Sequence, residues 1–217
     1  MSLSPRRDGE ATRQRLLRAA LELFTSKGFR ATTPPEIAER AGVAEGTIYR
    51  HFSGKEHLLN EVYRAAHRWA SGLVAETDGP HSPQERLQRI GRRLLEGAER
   101  DPAAARMLLL TRDDPYLDER SRDAAREFRA SLQQVIAAGK SDGVVRSGPA
   151  ELWAAVWLSV VAFAAERVAG REWTADQPQT AQVLEAAWDA IKQAGTGENR
   201  REQTGMGENG REPTGTV

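Results

Sequence analysis

Apolar side chains recur at intervals of three and four residues along most of the chain, which is the spacing of one face of an α-helix. Two long segments show the pattern most clearly, with repeating positions at Leu59, Val62, Tyr63, Ala66, Trp69, Ala70 and Leu73, and at Phe128, Leu132, Val135 and Ile136. No segment sustains the alternation of apolar and polar residues that marks a half-buried strand. The hydrophobic pattern therefore predicts an all-α protein.

Proline marks the predicted start of several helices, because the first helical position has an N–H group that needs no partner within the helix. The pairs are Thr33-Pro34, Ser82-Pro83, Asp101-Pro102 and Gly148-Pro149. Together with the apolar periodicity they predict about nine helices, over residues 10–27, 34–41, 45–51, 54–77, 83–99, 102–111, 116–139, 149–169 and 178–193.

Residues 32–59, TTPPEIAERAGVAEGTIYRHFSGKEHLL, predict two short helices around the turn Ala41-Gly42-Val43, followed at once by the start of a third. Thr33 can cap the first of these helices, and Glu36 stands where it would complete a capping box. Gly42 suits the left-handed conformation that a tight turn needs. This arrangement is typical of a helix-turn-helix, whose second helix reads the major groove of DNA.

The same residues resemble the signature of the tetracycline-repressor (TetR) family of transcription regulators, TT...IA..AGV..GT.Y.HF..KE.L, over roughly residues 11–60. Two positions depart from it. Ala44 stands where the family often has a capping Ser, and Pro35 stands where some members place a side chain that reaches a base. The resemblance implies an N-terminal three-helix DNA-binding domain, followed by a helical domain that binds an effector and dimerises.

Pattern and resemblance together predict four regions: an N-terminal arm at residues 1–9, the helix-turn-helix domain at 10–56, the effector-binding and dimerisation domain at 57–194, and a tail at 195–217. The tail contains a near repeat and is almost free of apolar residues, so burial cannot offset the entropy lost on ordering it. We expect it to be disordered. A role for it in binding DNA or a partner is left open.

The candidate DNA contacts divide into base readers and phosphate contacts. The base-reading candidates lie at the recognition helix, as Glu45, Gly46, Thr47 and Arg50. Thr33 and Pro35, at the start of the preceding helix, are further candidate DNA contacts, and Pro35 leaves one base-reading position of the family empty. Arg50 suits a guanine edge, whereas Glu45 either accepts from cytosine or only favours the positive helix end. By resemblance the phosphate contacts are Tyr49, His51 and Lys55, all of which donate hydrogen bonds. Tyr49 could instead pack in the core.

The distribution of charge supports a DNA-facing N-terminal region. The formal net charge of the whole chain is zero, but residues 1–69 contain 12 Lys and Arg against 8 Asp and Glu. A basic surplus of this kind is the electrostatic footprint of a phosphate-facing surface. Taken alone, it could equally be an ordinary solvated surface.

Apolar stripes in the last two predicted helices are candidates for a homodimer interface, at Trp153, Val156, Val160 and Ala164, and at Leu184, Ala187, Trp188 and Ile191. Paired with a symmetry mate they would form a four-helix interface, and the alternative is that they belong to the core of the chain itself. A cavity for a small, mainly apolar effector would be lined from the middle helices, by Trp69, Leu94, Met107, Leu108, Phe128, Leu132 and Trp157.

Several other classes of protein are disfavoured. Cysteine is absent, the four histidines show no metal spacing, and no glycine-rich phosphate loop follows a strand. We therefore expect no cofactor and no metal, and a helical enzyme is a remote alternative. The N-terminus lacks the apolar run of a signal peptide, and the longest apolar run, residues 152–165, is 14 residues long. That run is short for a membrane span, so we expect a cytoplasmic protein without a membrane partner.

The sequence thus predicts a DNA-binding transcriptional repressor that binds a palindromic operator as a homodimer and is released by a small-molecule effector. The alternative is a dimeric helix-turn-helix protein that senses no ligand.

Overall fold

The computed structural model describes residues 5–109 and 115–194. Within these ranges the chain forms nine helices and no strand: α1 (Pro5–Ser26), α2 (Pro34–Ala41), α3 (Gly46–His51), α4 (Lys55–Ala75), α5 (Pro83–Arg100), α6 (Pro102–Leu109), α7 (Glu119–Ser141), α8 (Ala150–Ala169) and α9 (Pro178–Asp189). The all-α prediction is confirmed, and each predicted helix corresponds to one of these. The tail predicted to be disordered lies outside the described residues.

Proline and capping side chains set the helix starts as the sequence predicts. Helices α2, α5 and α6 each begin at the proline of a predicted pair. At α5 the Ser82 hydroxyl accepts from the Glu85 N–H at 3.3 Å, and the Glu85 carboxylate accepts from the Ser82 N–H at 2.8 Å. This reciprocal capping satisfies two N–H groups that the helix itself leaves without partners.

Three helix ends differ from the prediction by three residues or more. Helix α1 begins at Pro5, so part of the predicted arm is helical. Helix α7 begins at Glu119 and not at 116, because the Asp118 carboxylate accepts from the Ser121 N–H at 2.8 Å and caps the helix there. Helix α9 ends at Asp189 because the residues after it pair with the α7–α8 connection, in an isolated antiparallel bridge between Val145 and Lys192.

Helix α4 belongs to two packing units at once. It packs against α1, with which α2 and α3 complete a small N-terminal core, and it also packs against α5, α6 and α7. Buried side chains run along its whole length, from Leu58 to Val74. The recognition motif, by which we mean α2, α3 and the turn between them, is therefore joined to the helical body of α5–α9 by a continuous helix and not by a flexible linker.

Helix α8 is, among the described residues, the one helix long and apolar enough by length and composition to cross a membrane. Inside this fold it contacts α5, α6, α7 and α9, and Trp157, Val161 and Ala164 are almost fully buried. These contacts are those of a core helix.

The predicted dimer stripes are mostly core. Ala164, Leu184, Ala187, Trp188 and Ile191 are buried within the chain, so for these five positions the intramolecular alternative is the one that the structure supports. Two of the predicted positions, Val156 and Val160, are half-buried on the outer side of α8. Together with Leu152 and Phe163, which are 49% and 52% exposed, they form a line along the helix that we call the α8 outer stripe. Trp153 is also half-buried, and its indole N–H donates to the Ser147 carbonyl at 3.0 Å.

Gly139, near the end of α7, lets Val145 and Pro83 pack close to the helix backbone. A substitution at this position therefore tests the packing. A Cβ at this position would lie 2.7 Å from Cγ2 of Val145 and 3.2 Å from Cβ of Pro83. Because both neighbours are short and stiff, we expect Gly139→Ala to lower the free energy of unfolding by about 1–3 kcal/mol, as overpacking does.

Gly72→Ala in α4 is the matched control, because nothing lies within 4 Å of a Cβ at that helical position. The higher helix propensity of alanine should raise the free energy of unfolding there by roughly 0.5–1 kcal/mol. Urea unfolding followed by circular dichroism measures both variants. A shift of the same sign in both would contradict the close packing at Gly139.

Candidate nucleic-acid interface and internal cavity

Gly42 builds the turn between α2 and α3. Its φ of 65° and ψ of 42° lie in the left-handed region, which side chains other than glycine rarely adopt. Its N–H donates to the Glu39 carbonyl, and the Val43 N–H donates to the Ala38 carbonyl, both at 3.0 Å. These bonds satisfy the last carbonyls of α2 and fix the direction in which α3 leaves the turn, as the motif predicted.

Helix α3 is anchored on one side and exposed on the other. Ile48 and, just after the helix, Phe52 are 1% and 2% exposed and hold it against the N-terminal core. The exposed residues at and within this helix are Glu45, Gly46, Tyr49 and Arg50, with Thr47 and His51 half-buried beside them. Tyr49 is 57% exposed, so the alternative that placed it in the core is wrong.

Lys55 holds the connection between α1 and α2. Its Nζ donates to the Phe29 and Thr32 carbonyls, both at 2.9 Å, and lies 4.2 Å from the centroid of the Phe29 ring. Two of its three N–H donors are therefore used inside the protein. The sequence indicated only a phosphate contact here, and a phosphate contact stays a prediction that rests on the third donor.

The start of α2 is fixed by the predicted capping box. The Glu36 carboxylate accepts from the N–H and the hydroxyl of Thr33, both at 2.8 Å, and forms an ion pair with Lys27. The Lys27 ammonium and then the Thr33 donors lower the pKa of Glu36 to about 2. Thr33 and Pro35 are exposed at this end of the helix.

A cavity of about 540 Å³ lies between α4, α6, α7 and α8. Its apolar lining includes Tyr63, Leu108, Leu109, Leu117, Phe128, Leu132 and Leu158, and its polar lining includes His67, Arg122, Arg126, Arg129, Gln133 and Glu151. The volume is in the usual range for small-molecule sites. The lining contains more charged groups than the mainly apolar cavity that the sequence indicated.

Three of the seven predicted lining residues, Leu108, Phe128 and Leu132, line this cavity. The other four, Trp69, Leu94, Met107 and Trp157, do not. The Trp69 ring packs over Gly97, and Trp157 packs beside Gly91, while Leu94 and Met107 are buried core residues. Sequence reasoning missed the arginines of α7, because charged residues on a helix usually mark a solvated face.

His67 is a buried histidine in the cavity wall. Its Nδ1 lies 3.0 Å from the Tyr63 carbonyl, which can only accept, and its ring stacks on Tyr63 at 4.1 Å. Burial lowers the pKa of His67, and the nearby charge of Arg129 lowers it further. The imidazole is therefore neutral near pH 7, with Nδ1 as its donor and Nε2 as an acceptor.

The turn before α7 connects the cavity to the N-terminal domain. Pro115 and Leu117 line the cavity, whereas the ring of Tyr116 between them packs on Phe29 with the ring centroids 4.5 Å apart. Phe29 is the same ring that lies under Lys55. Three consecutive residues thus touch both the cavity and the segment that leads into α2.

Asn60 of α4 fixes this turn. Its Nδ2 donates to the Tyr116 carbonyl at 2.9 Å and to the Glu56 carbonyl at 2.8 Å. Its Oδ1 accepts from the Asp118 N–H at 2.8 Å and from the Ser121 hydroxyl at 2.7 Å. The side chain is 4% exposed, so these bonds form away from water, where an unmade bond is costly.

Ion pairs join the same elements at the surface. Glu61 of α4 pairs with Arg13 of α1 at 2.5 Å and with Arg64 at 2.6 Å, and Arg64 continues to Asp118 at 2.9 Å. A separate pair, Arg18 with Asp101 at 2.6 Å, joins α1 to the start of α6.

Comparison with known proteins agrees with both parts of this architecture. The family of bacterial regulatory proteins described as the tetR family matches residues 16–62, and the family of tetracyclin repressor-like C-terminal domains matches residues 73–193. The regulator YvkB of Bacillus subtilis is 29% identical over 154 residues, which cover 69% of this chain and 79% of YvkB. The regulator SrpR of Pseudomonas putida is 35% identical over 94 residues, 36% of this chain but only 44% of SrpR.

Among solved structures, a regulator of the same family from Shewanella sp. PV-4 superposes with a TM-score of 0.70 at 23% identity. That superposition covers 84% of this chain and 99% of the other. The likeness extends across the N-terminal motif and the helical body.

The contribution of the two hydrogen bonds donated by Asn60 can be tested with a substitution that keeps the shape of the side chain. Asn60→Asp replaces the Nδ2 donor by an oxygen, which would face the Glu56 and Tyr116 carbonyls without a proton to share. We expect the free energy of unfolding at neutral pH to fall by about 1–3 kcal/mol, the cost of leaving buried polar groups unpaired.

Gln134→Glu on the exposed side of α7 makes the same amide-to-acid change without burial. We expect it to stay within roughly 0.5 kcal/mol of the unsubstituted protein. Urea unfolding of the two variants gives the comparison, and an Asn60→Asp protein as stable as the Gln134→Glu protein would show that the Asn60 donors contribute nothing.

Proposed function

Because the chain belongs to the TetR family of bacterial regulatory proteins, we propose that it is a repressor that binds a palindromic operator as a homodimer and leaves it when a small-molecule effector binds. The members of this family are DNA-binding transcription regulators and not enzymes, so the enzyme alternative is set aside. The observation that carries the proposal is the exposed face of α3, which buried Ile48 and Phe52 hold in a fixed orientation.

The DNA contacts that we propose follow from exposure and chemistry. Arg50 and Thr47 would reach base edges, with Glu45 and Gly46 at the helix start close to the groove floor. Tyr49 and His51 would donate to phosphates, together with the remaining N–H of Lys55. Thr33 and Pro35 would lie against the backbone at the start of α2. The exposure of Tyr49 and Arg50 supports this assignment.

The homodimer that we propose would form through the α8 outer stripe. Leu152 and Phe163 are among the few large apolar side chains that the described fold leaves exposed, and Val156 and Val160 lie between them on the same line of the helix. Burial of such a stripe against the same stripe of a second copy gives the self-complementary contact of a two-fold dimer. The half-buried valines and the exposed Phe163 support α8 as the helix of the interface, because the predicted positions of α9 are buried within the chain.

Release by an effector would use the cavity and the turn beside it. Tyr63 and His67 of α4 line the cavity, and the same helix begins at Lys55, which holds the connection leading into α2. A ligand that displaces α4 or the Pro115–Leu117 turn would therefore change the placement of the recognition helix. Linkage requires that an effector which weakens DNA binding binds the DNA complex more weakly by the same factor. The cavity favours this version over a dimer that senses nothing.

Selection of bound sequences from random duplex DNA, followed by footprinting and light scattering, tests the proposed assembly. We expect an inverted repeat with half-sites that mirror a two-fold axis, bound by a dimer. Phe163→Glu should shift the protein toward monomers, because it places a charge in the proposed interface. A monomeric native protein at micromolar concentration, or a protected site without inverted symmetry, would contradict the proposal.

The proposed division between base and phosphate contacts is tested by Arg50→Ala and Tyr49→Phe. Arg50→Ala should weaken binding to the selected operator by about 1–3 kcal/mol and relax the preference at one base pair, while binding to scrambled duplex changes little. Tyr49→Phe removes one hydroxyl donor and should weaken binding to both duplexes by the same factor. If Arg50→Ala also weakens both duplexes equally, Arg50 contacts phosphate and not a base.

A further inference from the structure

The cavity has two chemically different ends. Leu108, Phe128 and Leu132 form a buried apolar part. Arg122, Arg126 and Arg129 line the cavity from α7 and are exposed. Residues spaced by four and three positions lie on the same side of a helix, so the three guanidinium groups form one basic edge at the point where the apolar lining reaches the surface.

The three arginines differ in how their charge is balanced. Arg126 pairs with Glu119 at 2.6 Å and also with Asp123, and Arg122 lies 3.5 Å from Glu119. For Arg129, no carboxylate of the described residues lies within ion-pair distance. One carboxylate, Glu151, lines the cavity from α8. Among the described residues, Arg129 is thus the member of the basic edge whose guanidinium group has no carboxylate partner.

The charge of Arg129 also acts on the interior of the cavity. After burial, it is the second influence that lowers the pKa of His67 in the wall. The neutral imidazole that results brings no positive charge of its own. Arg129 lines the cavity and lies close enough to the buried wall for its charge to reach a ligand there.

We propose that the cavity binds an amphiphilic anion, whose carboxylate or phosphate head pairs with Arg129 while its alkyl or aromatic body fills the space between Phe128, Leu132 and Leu108. This inference rests on the proposed function, since it names the chemical class of the effector. Guanidinium groups pair with carboxylates and phosphates in bidentate geometry. A wholly apolar ligand would cover the basic edge without giving its guanidinium groups a partner, which costs free energy. A cationic ligand would be repelled by the same groups.

The test compares four probes with the same ten-carbon chain, used below their micelle concentrations on the full-length protein: decanoate, decyl phosphate, decan-1-ol and decyltrimethylammonium. Thermal shift and titration calorimetry measure binding. We expect the better of the two anions to bind at least about tenfold more tightly than the alcohol, which is the scale of one charge-assisted hydrogen bond, and the ammonium probe to bind least. The order of the two anions identifies the head group.

Arg129→Gln should weaken binding of the preferred anion by at least about tenfold and leave decan-1-ol binding unchanged. Arg120→Gln is the control, because Arg120 is an exposed arginine on the same helix that does not line the cavity, and it should bind every probe as the native protein does. Equal binding of decanoate and decan-1-ol, tighter binding of the ammonium probe, no binding of either anion, or an Arg129→Gln protein that binds like the native one would each overturn the proposal.

Operator binding, measured in parallel, separates this inference from the proposed function. An anion that binds through Arg129 but leaves operator affinity unchanged supports the anion site and contradicts effector release. Release of the operator by the alcohol or the ammonium probe alone supports effector release and overturns the anion site.

Discussion

Asn60 satisfies its whole hydrogen-bonding capacity between α4 and the segment that starts α7. A carboxamide has two N–H donors and an oxygen with two lone pairs, and all four are used, by two carbonyls, one N–H and one hydroxyl. The partners differ in kind, so the amide fits in only one orientation. Because a buried bond of this type is costly to leave unmade, the turn at residues 115–118 can take only a narrow range of positions against α4.

Because of that constraint, α4 contributes residues both beside the helix-turn-helix and to the lining of the cavity. Its first residue, Lys55, binds the Phe29 and Thr32 carbonyls beside the helix-turn-helix, and about two to three turns later Tyr63 and His67 line the cavity. Tyr116 completes the connection from the other side through its contact with Phe29. The path between cavity and motif is therefore short and consists of packed rings and saturated hydrogen bonds, which favour discrete displacements over gradual bending.

The local part of the fold could be predicted from the sequence, and the long-range part could not. Helix starts depend on neighbouring residues, so the Thr33-Pro34 and Ser82-Pro83 pairs located them. The tryptophans of α8 and α9 belong to apolar stripes that could be recognised in the sequence. The spacing of such a stripe is the same whether it packs against its own chain or against a second copy, so the sequence could not distinguish the two. Lys55 has the chemistry of a phosphate contact, and only the tertiary structure brings the Phe29 carbonyl to it. Arg129 likewise has the sequence pattern of a surface residue, and only the tertiary structure brings α4 and α8 together with it around a cavity.

The ion pairs that seat α1 on the helical body have a consequence for any measurement of DNA affinity. Arg18 and Asp101 are 47% and 37% exposed in their side chains, and Arg13 and Glu61 are 32% and 23% exposed. Pairs this accessible weaken as ionic strength rises. Added salt would thus weaken the contacts of the protein with phosphates. At the same time it would weaken the ion pairs that hold α1 against α4 and the start of α6. The steepness of the salt dependence, normally taken as a count of neutralised phosphates, would for this molecule also include contacts that never touch DNA.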